Sequence, residues 1–279
     1  MEKNLVLSYN SNCKINLGLI ILNKRLDNFH NIESLFVELD FFDKITFQKS
    51  NSFQFTSSDK QITKLKNNTI TQAYNKLYSL FMPNEHYNIH LSKKIPIGSG
   101  LGGGSSNAAT TLKALNNLWR LKLSDDKLCE IGKSIGSDVP FFINGGNQFV
   151  EGRGDILSPL EKINLSQYYI LLIYPNIHID TNWAYSSLKK GLEVPKRHNK
   201  FLDSNYQVNW QLLENDFENV VFSTYPEISE IKEKLISRKV LYAGLSGSGS
   251  TVYGIFDDEA KLNKAESFFH NSHLTILAN

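Results

Sequence analysis

An α+β fold built in two parts is predicted by three features of the sequence. Short apolar runs, often alternating with polar residues, fill the first fifty positions. A glycine-rich turn at Gly98–Gly104 runs straight into a segment of helical spacing. The strand-then-helix pattern then starts again near residue 160, with the apolar run Tyr169–Tyr174. The boundary is placed to give residues 1–158 and 159–279.

The elements follow in order. Leu5–Ser8, Lys14–Leu22, Ser34–Leu39 and Lys44–Gln48 read as strands. Ile70, Ala73, Leu77, Leu80 and Phe81 recur at helical spacing, which predicts a helix over Ile70–Phe81. Tyr87–Leu91 is another strand. Ala108, Leu112, Leu115 and Trp119 form one stripe of a helix over Ser105–Trp119. Ser124 is the expected cap of the next helix, with Asp125 and Asp126 set favourably against its dipole. After Gly145–Gly146 comes a strand at Gln148–Glu151. Tyr169–Tyr174 is a buried-type strand stopped by Pro175, and Thr181–Leu188 reads as a helix. Gly191–Tyr206 is polar and irregular, and is expected to be a mobile loop. Helices follow at Asp216–Ser223 and Glu227–Ser237. Leu241–Ala243 and Thr251–Phe256 flank a glycine turn as a hairpin-like pair. A helix at Asp258–Phe269 and a strand at Leu274–Leu277 end the chain.

Composition excludes several classes. The chain has 279 residues, 41% of them hydrophobic and 21% charged, so a disordered chain is ruled out. No apolar run approaches the ~18–20 residues of a membrane span. The N-terminal MEKNLVLSYNSNCK lacks an apolar signal core, so a cytoplasmic location is expected. Cys13 and Cys129 suit neither a disulfide framework nor a zinc site. A net charge of +2 gives no nucleic-acid surface, and the expectation is a monomer or weak homodimer with no membrane or nucleic-acid partner.

The chemistry concentrates in Pro96-Ile97-Gly98-Ser99-Gly100-Leu101-Gly102-Gly103-Gly104-Ser105-Ser106. Five glycines in seven residues let the backbone turn sharply and approach a ligand closely. The helix that follows offers unpaired N–H groups and the positive end of its dipole, which together suit phosphate. Ser105, Ser106 and Asn107 are candidate caps, and a hydroxyl there could meet a phosphate-bound Mg²⁺. Two familiar motifs do not fit. A dinucleotide fold needs an acid at a strand end about 20 residues on, whereas Asp125 and Asp126 open a helix. A Walker A loop ends in Lys followed by Ser or Thr, and this one has no lysine.

The same segment, extended through Asn107 and Ala108, resembles the phosphate loop of the GHMP small-molecule kinases, which include galactokinase, homoserine kinase and mevalonate kinase. Lys14-Ile15-Asn16-Leu17, Arg25-Leu26-Asp27-Asn28-Phe29-His30, Gly136-Ser137-Asp138-Val139-Pro140 and Leu245-Ser246-Gly247-Ser248-Gly249-Ser250 resemble further family segments, in order along the chain. The resemblance implies an N-terminal lobe like the second domain of ribosomal protein S5, a ferredoxin-like C-terminal lobe and an active site in the cleft between them. It implies an ATP- and Mg²⁺-dependent kinase. The variant closely resembles that of members that phosphorylate the 2-hydroxyl of 4-diphosphocytidyl-2-C-methyl-D-erythritol, in the non-mevalonate isoprenoid precursor pathway.

Site residues carry over position by position. Asp138 stands at the family's catalytic aspartate, either to take the acceptor's proton or to orient it. Lys14 stands at the catalytic lysine, suited to stabilise charge on the reacting oxygen and the γ-phosphoryl group. Phe29 and Tyr185 are candidates to sandwich the pyrimidine, His30 to read its edge, and Asn16 to contact the polyol or diphosphate. Gly247, Ser248 and Gly249 are expected near the substrate's phosphates or the reacting site. Asn68 and Asn116 resemble positions near the adenosine; the ligands of Mg²⁺ are not identified. Two departures stand out: Phe29 replaces a tyrosine and Asn28 a glycine. Asn tolerates the left-handed region better than most residues, so the turn can survive. Homoserine or a mevalonate-type alcohol is the alternative acceptor. A non-catalytic nucleotide-binding protein is disfavoured because Lys14 and Asp138 are both present.

Overall fold

Two long strands open the chain where the sequence pattern suggests four short ones. Strand β1 runs Val6–Lys24 and β2 runs His30–Ser50. Each apparent break contains a polar residue that points inward: Ser11 in β1 and Asp43 in β2 are fully buried. A period-two reading counts such residues as solvent-facing, because their buried partners are distant in sequence. The computed structural model describes residues 6–188 and 201–278. Residues 191–200 of the expected polar loop lie outside the described residues, and Phe201, which follows them, is fully buried.

The chain divides into two units, but not at a single cut. One unit takes the described residues up to Cys13 together with Phe42–Ile95 and Gly102–Gly145. The other takes Lys14–Phe41, Pro96–Leu101 and the described residues from Gly146 onward. Both long strands and the glycine loop pass from one unit to the other. The 158/159 position, chosen where apolar patterning restarts, lies inside the second unit.

In the first unit, Lys44–Ser50 of β2 pairs antiparallel with β4 (His86–Ser92). Strand β3 (Gln54–Ser57) adds parallel to β4. Helix α1 spans Lys60–Lys64 and α2 spans Thr69–Phe81. Helix α3 spans Gly103–Leu118, and α4 (Asp125–Gly132) is capped as expected, by the Ser124 hydroxyl accepting from Lys127 N at 3.3 Å. Helix α5, Val139–Asn144, is too short and too apolar to show a period in sequence. Helix α3 packs on α2, α4 and α5 through a buried stripe that includes Ala108, Leu112 and Leu115. That packing fixes the direction in which its N-terminus points.

In the second unit, Ser34–Val37 of β2 pairs antiparallel with β5 (Asn147–Glu151), and β5 pairs with β6 (Ile156–Pro159). A separate antiparallel sheet has the order β10-β7-β9-β8. Its strands are β7 (Tyr169–Tyr174), β8 (Tyr242–Leu245), β9 (Val252–Phe256) and β10 (Leu274–Ala278). Strand β7 is buried along nearly its whole length, as its unbroken apolar run requires. Helices α6 (Thr181–Ser187), α7 (Glu218–Thr224), α8 (Pro226–Ile236) and α9 (Glu259–Phe269) complete the unit. Helices α8 and α9 pack on this sheet. The α+β class holds throughout.

Candidate active site

The glycine loop is shaped by positive φ angles at Gly98, Gly100 and Gly102. At Gly100 the requirement is absolute, because a Cβ there would lie 2.0 Å from the Ser246 carbonyl oxygen. That closeness is what brings the loop against a second glycine turn, Ser246–Ser250. Two hydrogen bonds fasten them: Ser246 Oγ donates to Gly100 O at 3.0 Å, and Thr251 N donates to Ser99 O at 3.0 Å. Leu101 O accepts from Lys14 N at 3.0 Å, which ties the loop to β1.

Gly102 ends the loop in the left-handed region and is the N-cap of α3. The expectation that Ser105, Ser106 or Asn107 caps the helix is therefore corrected. The helix starts at Gly103, so all three lie inside it, and no side chain caps it. Its first-turn N–H groups are left to an outside acceptor. Gly104 is exposed, and a Cβ built on it would meet nothing closer than 3.8 Å. The hydroxyl of Ser106 is turned inward, bonded to Ser11 Oγ at 2.8 Å, whereas Ser105 Oγ lies 3.3 Å from where a Gly136 Cβ would stand. Ser105 thus adjoins the turn that carries Asp138.

Below this N-terminus sits a polar group that sequence reading missed. Asn107 Nδ2 donates to Ser11 Oγ and to Asp43 Oδ2, both at 2.9 Å. The other oxygen of Asp43 accepts from Lys94 N at 2.7 Å and Ile95 N at 2.8 Å, and Lys93 Nζ pairs with Asp43 Oδ2. Burial lowers the Lys93 pKa, against the opposing pull of Asp43. Lys93 Nζ lies 2.9 Å from the Cβ position of Gly103, so a cation adjoins the start of α3 after all. No local pattern announces it, since Asp43 and Lys93 are fifty residues apart.

Asp138 occupies the N-cap position of α5, yet its carboxylate does not cap the helix. It accepts from Ser137 Oγ at 3.2 Å. Lys14 is buried in β1, donates to Asn16 Oδ1, and holds its ammonium 4.4 Å from the centre of the Phe36 ring. Asn16 Nδ2 donates to Ser34 Oγ at 3.0 Å, and Ser34 Oγ donates to Gly18 O at 2.5 Å. The Cβ position of Gly247 is 3.4 Å from Asn16 Oδ1 and 3.3 Å from Gly100 O. Lys14, Asn16, Gly100 and Gly247 therefore converge. Ser248 Oγ bonds Thr181 Oγ1 at 3.2 Å.

The aromatic candidates are arranged differently from a Phe29–Tyr185 sandwich. His30 stacks on Tyr185 at 5.1 Å and 21°, while Phe217 stands edge-on to Tyr185 at 4.9 Å. Phe29 is 51% exposed, with the Arg153 guanidinium 5.1 Å from its ring centre. Asn28 has φ 67°, the left-handed conformation foreseen for it. Asn68 caps α2, accepting from Thr71 N at 3.0 Å, and the adjacent Thr69 Oγ1 donates to Gly104 O at 2.8 Å. Asn68 is thereby brought beside the glycine loop. Asn116 is not: it lies about 18 Å along α3 from Gly104, at 1.5 Å per residue. Both ends of its amide bond Leu123, each at 3.0 Å.

Comparison with known proteins supplies the family. The family model for the GHMP kinases N terminal domain matches residues 68–146, and that for GHMP kinases C terminal matches residues 200–274. The chain belongs to the GHMP kinase family. This GHMP kinase is accordingly an ATP-dependent small-molecule kinase. It is 42% identical to the 4-diphosphocytidyl-2-C-methyl-D-erythritol kinase of Thermodesulfovibrio yellowstonii, over 92% of each chain. It is 40% identical to the protein of that name from Cytophaga hutchinsonii, over 94% of each. A crystal structure of 4-(cytidine 5'-diphospho)-2C-methyl-D-erythritol kinase superposes with a TM-score of 0.81 at 22% identity, over 98% of each chain. The Methanococcus jannaschii mevalonate kinase gives 0.70 at 15%, over 100% of this chain and 98% of that one. At those identities the two structures establish the shared fold.

Among the described residues, no helix of this GHMP kinase is long and apolar enough to cross a membrane.

Proposed function

We propose that the chain transfers the γ-phosphoryl group of ATP to the 2-hydroxyl of 4-diphosphocytidyl-2-C-methyl-D-erythritol, a step of the non-mevalonate isoprenoid precursor pathway. The observation that carries this reading is the 42% identity, along nearly the whole chain, to a relative named for that substrate. The homoserine and mevalonate kinase structures share the fold at 15–16% identity.

The residues fit a nucleotide. The uncapped start of α3 and the open face of Gly104 suit the phosphates. The loop from Pro96 to Ser105 would wrap them, with Asn68 alongside. Mg²⁺ fits less directly: among the described residues, no group of three or more His, Cys, Asp or Glu could hold it. A magnesium ion bound to substrate phosphates needs only one or two protein oxygens, and the Ser105 hydroxyl at the start of α3 is the candidate. When bound, it would neutralise charge on the phosphates.

The chain's own groups do the rest by position and charge. The buried Lys14 ammonium, aimed by Asn16, stabilises negative charge on the oxygens around the transferred group. Asp138 orients the acceptor hydroxyl and is placed to receive its proton late, since a loose transition state needs no early deprotonation. Gly247 and Ser248 face the acceptor's phosphates. The cytosine stacks between Phe29 and Tyr185, taking the place that His30 holds against Tyr185, and His30 then meets the base edge. The reading carries with it a cytoplasmic location and a monomer or weak homodimer.

A coupled assay of ADP release tests this. The purified protein is given 4-diphosphocytidyl-2-C-methyl-D-erythritol, homoserine or mevalonate, each with and without Mg²⁺. Turnover confined to the cytidyl substrate and dependent on Mg²⁺ is expected. Turnover with another alcohol alone would retain the kinase and remove the cytidine pocket.

A further inference from the structure

The segment Asn215–Glu218 reaches several parts of the site, although no motif drew attention to it. Asn215 is 5% exposed, and both N–H groups of its amide are engaged on the C-terminal glycine turn: Nδ2 donates to Leu245 O at 2.8 Å and to Gly247 O at 2.9 Å. Its Oδ1 accepts from Phe217 N at 2.9 Å. The backbone on either side pairs with Leu19 of β1: Leu19 N donates to Glu214 O at 2.7 Å, and Asp216 N to Leu19 O at 2.9 Å. The Asp216 carboxylate accepts from Ile21 N at 2.7 Å, and Glu218 Oε1 accepts from Leu245 N at 3.1 Å.

This arrangement joins β1, which carries Lys14 and Asn16, to the glycine turn that lies against them. Gly247 has no side chain to anchor it, and its φ of 58° is one that few other residues adopt. The bonds to Gly100 and Ser99 hold the turn on one side, and on the other the Asn215 amide binds the Gly247 carbonyl itself. Asn16 Oδ1 is in turn the acceptor for Lys14 Nζ. We propose that Asn215 is a positioning residue, which holds Gly247 in register with Asn16 and so aims the Lys14 ammonium at the transferred group. The effect on turnover rests on the phosphoryl-transfer reading above; the effect on the glycine turn does not.

Asn215→Asp is the sharpest test. It keeps the size and the contact from Phe217 N, but replaces both donors by an oxygen facing two carbonyls. Asn215→Ser, smaller and uncharged, serves if the first variant does not fold. The expected result is a fall in kcat of roughly tenfold to a hundredfold, the scale of a small misplacement in an active site. KM for ATP and for the acceptor should stay within about threefold, since the groups that bind them remain. Amide hydrogen exchange should quicken in residues 246–251 and stay unchanged in β7 and β9. A folded variant whose kcat is within about twofold of wild type, or whose exchange quickens everywhere alike, would overturn the proposal. If the wild type turns over none of the acceptors, the functional reading fails and exchange alone decides. Local quickening then sustains the positioning of Gly247, and its absence removes it.

Discussion

The phenol of Tyr253 donates a hydrogen bond to the backbone carbonyl of Asn16 across 2.7 Å, in a fully buried setting. Strand β9 thereby reaches into the strand that carries Lys14. Burial raises the Tyr253 pKa well above the ordinary phenol value, and that of Tyr242 beside it for the same first reason. Raised values in the folded state mean that it keeps protons which the unfolded chain gives up above about pH 10. The stabilisation is complete below that pH and is lost as pH rises beyond it. Tm should fall along an alkaline limb starting near pH 10, and Tyr253→Phe should make that limb shallower. An identical limb in the variant would show that Tyr253 does not contribute to it.

Asp138→Asn should leave ATP and acceptor binding nearly intact while kcat drops by about a hundredfold to ten-thousandfold, the usual range for a group that manages a proton in the transition state. Asparagine has nearly the size and shape of aspartate, so the variant should fold normally. Calorimetric binding beside single-turnover rates separates the two effects. A rate within about threefold of wild type would deny Asp138 the role.

Tyr185→Ala should act on the acceptor alone. Stacking on one base is worth about 1–3 kcal/mol, or roughly five- to 150-fold in affinity. KM for the cytidyl substrate should rise by that factor with KM for ATP unchanged. Equal rises in both would take Tyr185 out of the cytidine pocket.

Gly100→Ala and Gly104→Ala should differ in sign. The left-handed backbone at Gly100 costs an alanine about 1–2 kcal/mol before its Cβ meets the Ser246 carbonyl. Tm and ATP affinity should both fall. Gly104 is helical with open space around it, so alanine there should hold or raise Tm, by up to about 1 kcal/mol of stability. Thermal melts of the pair, with and without ATP, check this.

Asp43→Asn should be among the most destabilising single changes in the chain. It removes the counter-charge of the buried Lys93, and breaking a buried pair from one side costs about 3–5 kcal/mol. Urea unfolding measures the loss. A change below about 1 kcal/mol would mean that Lys93 finds another partner or water.

What the sequence made legible divides by range. The helices around the glycine loop were readable because their apolar stripes and the Ser124 cap are local. Strand β7 was readable from one unbroken apolar run. The loop itself announced its purpose, since only close backbone approach asks for so many glycines. The continuity of β1 and β2 was hidden by Ser11 and Asp43, whose partners lie 95 and 50 residues away. The short strands β3 and β6 and the short helices α1 and α5 hold too few residues to show a period. Asn215 carries no signal, because an asparagine before a helix reads as an ordinary cap; only the structure shows its amide turned to another loop. The stacking of His30 on Tyr185 joins residues 155 positions apart, and nothing in either segment selects that pairing over Phe29 with Tyr185.

The Gly100–Ser246 contact also sets an order in time. Its partners are 146 residues apart, a stretch that takes roughly 7–30 s to synthesise at about 5–20 residues per second. During that interval the nucleotide loop has emerged but lacks the backbone against which it is moulded. A nascent chain released before Ser246 should therefore carry the whole glycine motif and still bind ATP poorly, so that competence arrives only once the second glycine turn has been made.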